Sequence, residues 1–189
     1  MTEIKVPGRE LKECIADVLP VMKNSRKNMI DTIAKVFVVS DGWAVKFQAT
    51  DRFIVIESTL NSSRNAESEL PKFGYLVDIP SLEALKTVGM TDTVTITPEG
   101  FKSERVAVPG VEADGWPALD RFMESTWDDP TYFEGADDDD VLVDAFRPEL
   151  VKHVKDCLIV PRRNGVGKPS RFYAKDRVRG VIMPTREQG

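Results

Sequence analysis

The chain has 189 residues, of which 41% are hydrophobic and 30% charged, with a net charge of −5 and one histidine. That is enough apolar material for one large domain or two small ones. No window approaches the roughly 18 uninterrupted apolar residues of a membrane span, and no basic start leads into an apolar run, so membrane insertion and secretion are both disfavoured and a cytoplasmic globular protein is expected.

Leu11, Cys14, Ile15, Val18, Leu19 and Met22 recur at i, i+3, i+4, i+7 and i+8, which predicts a helix with one apolar stripe, entered after Pro7-Gly8 and ended or kinked at Pro20. Lys35 to Ser40 and Trp43 to Thr50 read as strands joined by an Asp41-Gly42 turn, and Arg52 to Leu60 as a third strand. Residues 61–71 are polar and rich in breakers, which predicts a loop before the strand Phe73 to Ile79. Pro80-Ser81 opens a short helix through Val88, with Leu82, Leu85 and Val88 inward. Thr93 to Thr97 is a strand, Pro98-Glu99-Gly100 a turn, and Phe101 to Val108 the returning strand. A strand, a helix and two or three strands thus occur twice, as one repeated unit.

The region 109–140 breaks the periodicity with glycine, proline and dense acid, and reads as a surface connector. Beyond it, Val141 to Asp144 reads as a strand, Pro148 to Leu158 as a helix with Leu150, Val151, Val154 and Leu158 inward, and Arg171 to Lys175 and Val178 to Met183 as strands. The unit begins a third time. The expected organisation is a complete domain over 1–115, an acidic connector over 116–140 and a partial second domain over 141–189, of class α+β with antiparallel sheets covered on one face by helices.

No motif supports catalysis or a cofactor. The four aspartates at 137–140 are adjacent, whereas a calcium loop alternates its ligands around a central glycine, so a solvated loop is expected. His153 alone supplies neither a zinc set nor a nucleophile relay. Asn164 to Ser170 resembles a phosphate loop but has Arg162 where the first glycine belongs and Pro169 where the magnesium-binding hydroxyl belongs. Cys14 and Cys157 lie among apolar neighbours on predicted helices and read as buried thiols in a reducing compartment.

The charge is segregated. Residues 1–110 balance at −1, residues 111–146 at −11 and residues 147–189 at +7. An acidic surface with a local basic face can meet nucleic acid, because phosphate attraction follows the local field rather than the total charge. Arg9 and Lys12 lie off the apolar stripe of the first helix, with Lys23, Arg26 and Lys27 in the loop after it; Lys86 sits similarly on the second, and Lys152 and Lys155 one turn apart on the third. With Arg162 and Arg163 these form the expected DNA-backbone contacts, made without reading bases.

The repeated unit, the Asp41-Gly42 hairpin running into Ala49-Thr50-Asp51-Arg52, and the closing Met183-Pro184-Thr185-Arg186 together resemble the β subunit of bacterial DNA polymerase III, the sliding clamp. Arg147-Pro148-Glu149-Leu150 and Lys168-Pro169 resemble that family's last domain, and the loop Asn24 to Asn28 lies where its members carry a DNA-contacting arginine, with Arg26 the best match and Lys27 the second. The resemblance implies a clamp fold of repeated β-α-β-β-β units and a non-enzymatic processivity factor that encircles duplex DNA. It also implies that Thr50, Asp51, Arg52 and Phe53, with Met183, Pro184, Thr185 and Arg186, wall a groove for polymerase and clamp-loader peptides.

Family members are roughly twice as long, with three domains per subunit and two subunits per ring, whereas this chain resembles one full domain, the first or preferably the middle one, joined to half of the last. Phe53-Ile54 replaces the family's usual pairing, and Thr185 stands where a second methionine is usual. A half-domain leaves a sheet edge to cover, so self-association into a ring is expected, with about four chains as the natural count. The compact form suggests a phage or mobile-element origin. The alternative is a clamp mimic or decoy that keeps the peptide groove without encircling DNA, which the acidic segment favours; a metal-dependent enzyme built around Asp137 to Asp140 would need a second carboxylate cluster.

Overall fold

A computed structural model describes residues 3–26, 34–64, 69–130, 132, 157–160 and 168–184, with backbone alone for 24–26 and 64. Two units of the same order build the first part: β1 (Ile4–Pro7), α1 (Gly8–Arg26), β2 (Val36–Ser40), β3 (Val45–Thr50) and β4 (Ile54–Thr59), then β5 (Phe73–Val77), α3 (Ile79–Leu85), β6 (Thr93–Thr97), β7 (Gly100–Lys102) and β8 (Ala107–Pro109). A single turn of helix, α2 (Asn61–Arg64), lies between them. The units exchange their first strands. β1 pairs with β6 of the second unit and β5 with β2 of the first, giving the orders β1-β6-β7-β8 and β5-β2-β3-β4. Neither unit can complete its sheet alone, so the two fold as one body.

α1 and α3 pack against each other and on the inner faces of both sheets, and Leu11, Ile15, Met22, Leu82 and Leu85 join Val38, Phe47, Val94, Ile96 and Phe101 in one core. The helix α1 does not end at Pro20 but continues to Arg26, so Lys23 is helical rather than in a loop. Burial of Val21 and Met22 beyond the proline explains this, since two fully buried side chains offset the ~3 kcal/mol that an internal proline costs. At the other end Asp78 caps α3, its carboxylate accepting the Ser81 N–H at 2.9 Å, with Pro80 in the first turn. The expected single strand from Phe101 to Val108 is instead two, because the Ser103 hydroxyl accepts the Arg105 and Val106 N–H groups and turns the chain.

The C-terminal strands β9 (Leu158–Val160), β10 (Ser170–Ala174) and β11 (Val178–Ile182) extend the second sheet to seven strands, β5-β2-β3-β4-β11-β10-β9. Leu158, expected inside a helix, opens β9 opposite Tyr173 and is exposed. An apolar run of that length does not separate a helix end from a short strand. Within the expected connector a further helix forms, α4 (Leu119–Trp127), which packs Leu119 and Met123 on the outer side of Val55 and Val181. Cys14 is buried, and loss of hydration pushes its thiol pKa up to about 12, as expected of an inert core thiol. Cys157 immediately precedes β9 and is half-buried, not on a described helix.

β11 joins β4 in antiparallel register, with Gly180 opposite Ile56 and Val181 opposite Val55. A Cβ at Gly180 would lie 2.1 Å from the Phe172 ring and 2.3 Å from the Val55 carbonyl oxygen, so only glycine lets Phe172 cross this strand. Gly180→Ala is expected to destabilise the protein by at least about 2 kcal/mol through overpacking; urea unfolding followed by circular dichroism measures it, and an unchanged midpoint would show that the β4–β11 contact is loose.

Candidate functional site

The two segments that the resemblance selected meet at the end of this seam. Phe53 precedes β4, Met183 follows β11, and the Met183 N–H donates to the Phe53 carbonyl at 2.8 Å. The turn between β3 and β4 is held from within. Asp51 is fully buried, and its carboxylate accepts the N–H groups of Phe53 at 3.0 Å and Ile54 at 2.8 Å, while the Thr50 hydroxyl donates to the Ile54 carbonyl and accepts the Arg52 N–H. Thr50 and Asp51, expected as groove residues, therefore spend these side-chain bonds on holding the turn. Arg52 and Phe53 are exposed, Met183 is half-buried and Pro184 buried. Thr185 and Arg186 lie outside the described residues.

Alternation along the strands places Phe53 on the face of Val55, and Met183 on the face of Val181. One apolar stripe thus runs across the outer side of the seam. α4 covers Val55 and Val181 with Leu119 and Met123, flanked by Trp116, Phe122 and Trp127; Phe53, exposed, and Met183, half-buried, form a ledge at the end of the seam. Sequence reading missed α4, although Leu119, Phe122, Met123 and Thr126 follow i, i+3, i+4, i+7; the surrounding acid and the Gly/Pro-rich flank hid the signal. Polar ties fix the helix. Gln48 donates to both Asp120 on α4 and the buried Glu57, which also pairs with Arg179 at 2.8 Å. Farther on, the Arg171 guanidinium lies 3.7 Å from the centre of the Tyr132 ring and donates to the Thr126 carbonyl, and the Tyr132 hydroxyl donates to the Val160 carbonyl. The first part of the acidic segment is strapped to the outer face of the sheet.

The proposed DNA-contacting groups lie on the helix side. Arg9, Lys12 and Lys23 project from α1, and Lys86 caps the end of α3. Three of them are ion-paired: Arg9 with Glu13 at 3.1 Å, and Lys23 and Lys86 with opposite oxygens of Glu83 at 2.8 and 3.0 Å. Both lysines donate to Glu83, which holds its carboxyl below the usual range. Arg26 ends α1, its side chain outside the described residues, as are Lys27, Lys152, Lys155, Arg162 and Arg163 entirely. His153 and Asp137 to Asp140 also lie outside them. Among the described residues no group of three or more His, Cys, Asp or Glu is placed to hold a metal ion, and no helix is long and apolar enough to cross a membrane.

Strand-exchanged β-α-β-β-β units, helices side by side on one face and a sheet continued by the strands of a further unit define the DNA sliding-clamp fold. Solved structures similar to this chain include a protein described as a DNA polymerase III β subunit from Eubacterium rectale, with a TM-score of 0.69 and 10% identity over 100% of this chain and 66% of that one. The β subunit of Streptococcus pyogenes superimposes with a TM-score of 0.65 and 14% identity over 98% of this chain and 66% of that one. The sliding clamp of Bartonella birtlesii, solved bound to griselimycin, gives a TM-score of 0.64 and 9% identity over 100% and 66%. The chain thus spans about two thirds of the length of the clamp subunits it matches. No protein-family model matches it, and no curated protein matches it in sequence.

Arg52 sits at φ +78°, a left-handed conformation that glycine adopts without strain. Arg52→Gly is therefore expected to leave the turn intact and to raise stability by up to about 1 kcal/mol. Asp51→Ala, by contrast, strands buried N–H groups and is expected to cost about 1–3 kcal/mol. Urea titrations of both variants measure this pair of opposite shifts, and a destabilised Arg52→Gly would show that the arginine side chain itself holds the turn.

Proposed function

We propose that this chain is a sliding-clamp-like processivity factor: it self-associates into a ring around duplex DNA and docks the extended peptides of a polymerase and a clamp loader, performing no chemistry itself. One observation carries the docking half. Segments some 130 residues apart in sequence, Thr50 to Phe53 and Met183-Pro184, are joined by the hydrogen bond from Met183 to Phe53 and together offer an aromatic and a thioether side chain at one end of the β4–β11 seam. Such a ledge suits a peptide with hydrophobic anchors, and flexible methionine accommodates varied partners. The DNA half rests on the fold likeness and on the cations of α1 and α3, with Arg26, Lys27, Lys152, Lys155, Arg162 and Arg163 as further candidates. A phosphate-facing surface of this kind positions duplex without selecting sequence.

A second reading, a decoy that docks clamp-binding peptides without encircling DNA, draws support from the pairing of Arg9, Lys23 and Lys86 with Glu13 and Glu83, which weakens the positive field of the helix face. The two readings share the ledge and part over DNA.

Met183→Ala combined with Pro184→Ala is expected to weaken binding of a fluorescent clamp-loader or polymerase tail peptide by about tenfold or more, the loss of one hydrophobic hot spot. Anisotropy titration measures the affinity and thermal unfolding controls for the fold. Unchanged affinity in a folded double variant would move the docking site elsewhere.

A further inference from the structure

The helix face places one carboxylate between two lysines that come from different helices. Glu83 lies on the exposed side of α3, opposite the buried Leu82 and Leu85. One of its oxygens takes Lys23 of α1, the other takes Lys86. Glu13 repeats the arrangement on α1, taking Arg9 at 3.1 Å and Arg177 at 3.1 Å. The other carboxylates on α1 are engaged with neutral or buried partners: Glu10 accepts the Ser62 N–H, and Asp17 holds Arg177 and the Ser58 hydroxyl. Lys12 has no ion pair among the described residues. Glu83 thus holds both lysines at the N···O separation that a phosphate oxygen would take, between two side chains that remain reachable, Lys23 being 52% exposed.

We propose that Glu83 acts as a built-in phosphate competitor on the DNA-facing surface, holding Lys23 and Lys86 so that the duplex backbone meets one net positive charge there instead of two. This rests on the reading of α1 and α3 as the DNA face. A phosphate reaching either lysine must share it with, or displace it from, a carboxylate that is already in place. Fewer condensed counterions are then released per encounter, and each contact stays weak and exchangeable. A ring that must slide gains from such contacts, because every phosphate grip that tightens has to be broken at the next step along the backbone. The glutamate is a positioning and charge-setting residue, and its effect is read in the salt dependence of binding rather than in the fold. Surface ion pairs of this exposure add little to stability, so the substitution leaves folding intact.

The test is anisotropy of a labelled short linear duplex against salt for the full chain, with wild type, Glu83→Gln, the pair Lys23→Ala and Lys86→Ala, and the triple variant. Glu83→Gln is expected to steepen the slope of log K against log salt by about 1 and to tighten binding about five- to tenfold near 0.1 M salt. The lysine pair is expected to flatten the slope, and Glu83→Gln to add nothing in their absence. A flattened slope in the lysine pair with an unchanged slope in Glu83→Gln would overturn the competitor role and leave the helices as the DNA face. Unchanged binding in all variants of a protein that binds duplex would overturn both the role and the assignment of these helices. Absence of duplex binding in wild type and Glu83→Gln alike would overturn the helix face as a phosphate-contacting surface and the competitor role with it, with the ledge untouched and encirclement read separately on closed circular DNA.

Discussion

The antiparallel seam between β4 and β11 is the constraint on which the rest depends, because it attaches the C-terminal hairpin to the strand-exchanged body. Both ends of the ladder are closed by further backbone bonds: the Thr59 N–H donates to the Arg177 carbonyl at 2.9 Å, and the Met183 N–H to the Phe53 carbonyl. Arg177 then reaches back across the sheet to Asp17 and Glu13 on α1, at 2.8 and 3.1 Å. Burial works against its charge, but Asp17 outweighs that cost and holds the guanidinium above its usual range. A half-buried pair of this kind contributes modestly against a hydrophobic alternative, so it fixes the register more than it adds stability. Register matters here. A one-residue slip would turn Val181 and Met183 inward and remove the ledge.

The body that receives the seam owes its cooperativity to strand exchange. β1 and β5 each complete the sheet of the other unit, so α1 and α3 are buried between sheets that neither unit could build alone. The same exchange explains why α1 tolerates Pro20: a helix packed on two sheets from Leu11 to Met22 has more to lose by stopping than by carrying one missing hydrogen bond.

Much of this was legible in the sequence where the signal is local. The stripe from Leu11 to Met22, the alternation of Val94 and Ile96, and Asp41-Gly42 reported on residues within a turn or a pleat of one another, and each produced the expected element. The loop at the hairpin is nonetheless four residues, with the Asp41 carboxylate accepting the Trp43 and Ala44 N–H groups. Strand exchange was not legible, because it is a choice between distant partners of similar composition. α4 was hidden by its setting, since Asp120, Glu124 and the acidic flank outweighed three correctly spaced apolar positions, Leu119, Phe122 and Met123. At the site, the chain segments of the ledge were legible but the roles within them were not: Thr50 and Asp51 turn inward to hold the turn, while Phe53 is exposed and Met183 half-buried beside it. The partners of the helix cations were equally invisible, because Lys23 and Glu83 are 60 residues apart in sequence.

The central claim, a closed ring around duplex DNA, is tested most directly by retention on circular DNA. The protein is assembled on a covalently closed plasmid, passed through a sizing column in moderate salt, and compared with the same sample linearised by a single cut. A topological ring is expected to stay with the closed circle and to slide off the linear form. Equal retention on both would mean ordinary electrostatic binding, and retention on neither, with the peptide ledge intact, would contradict the clamp in favour of the decoy.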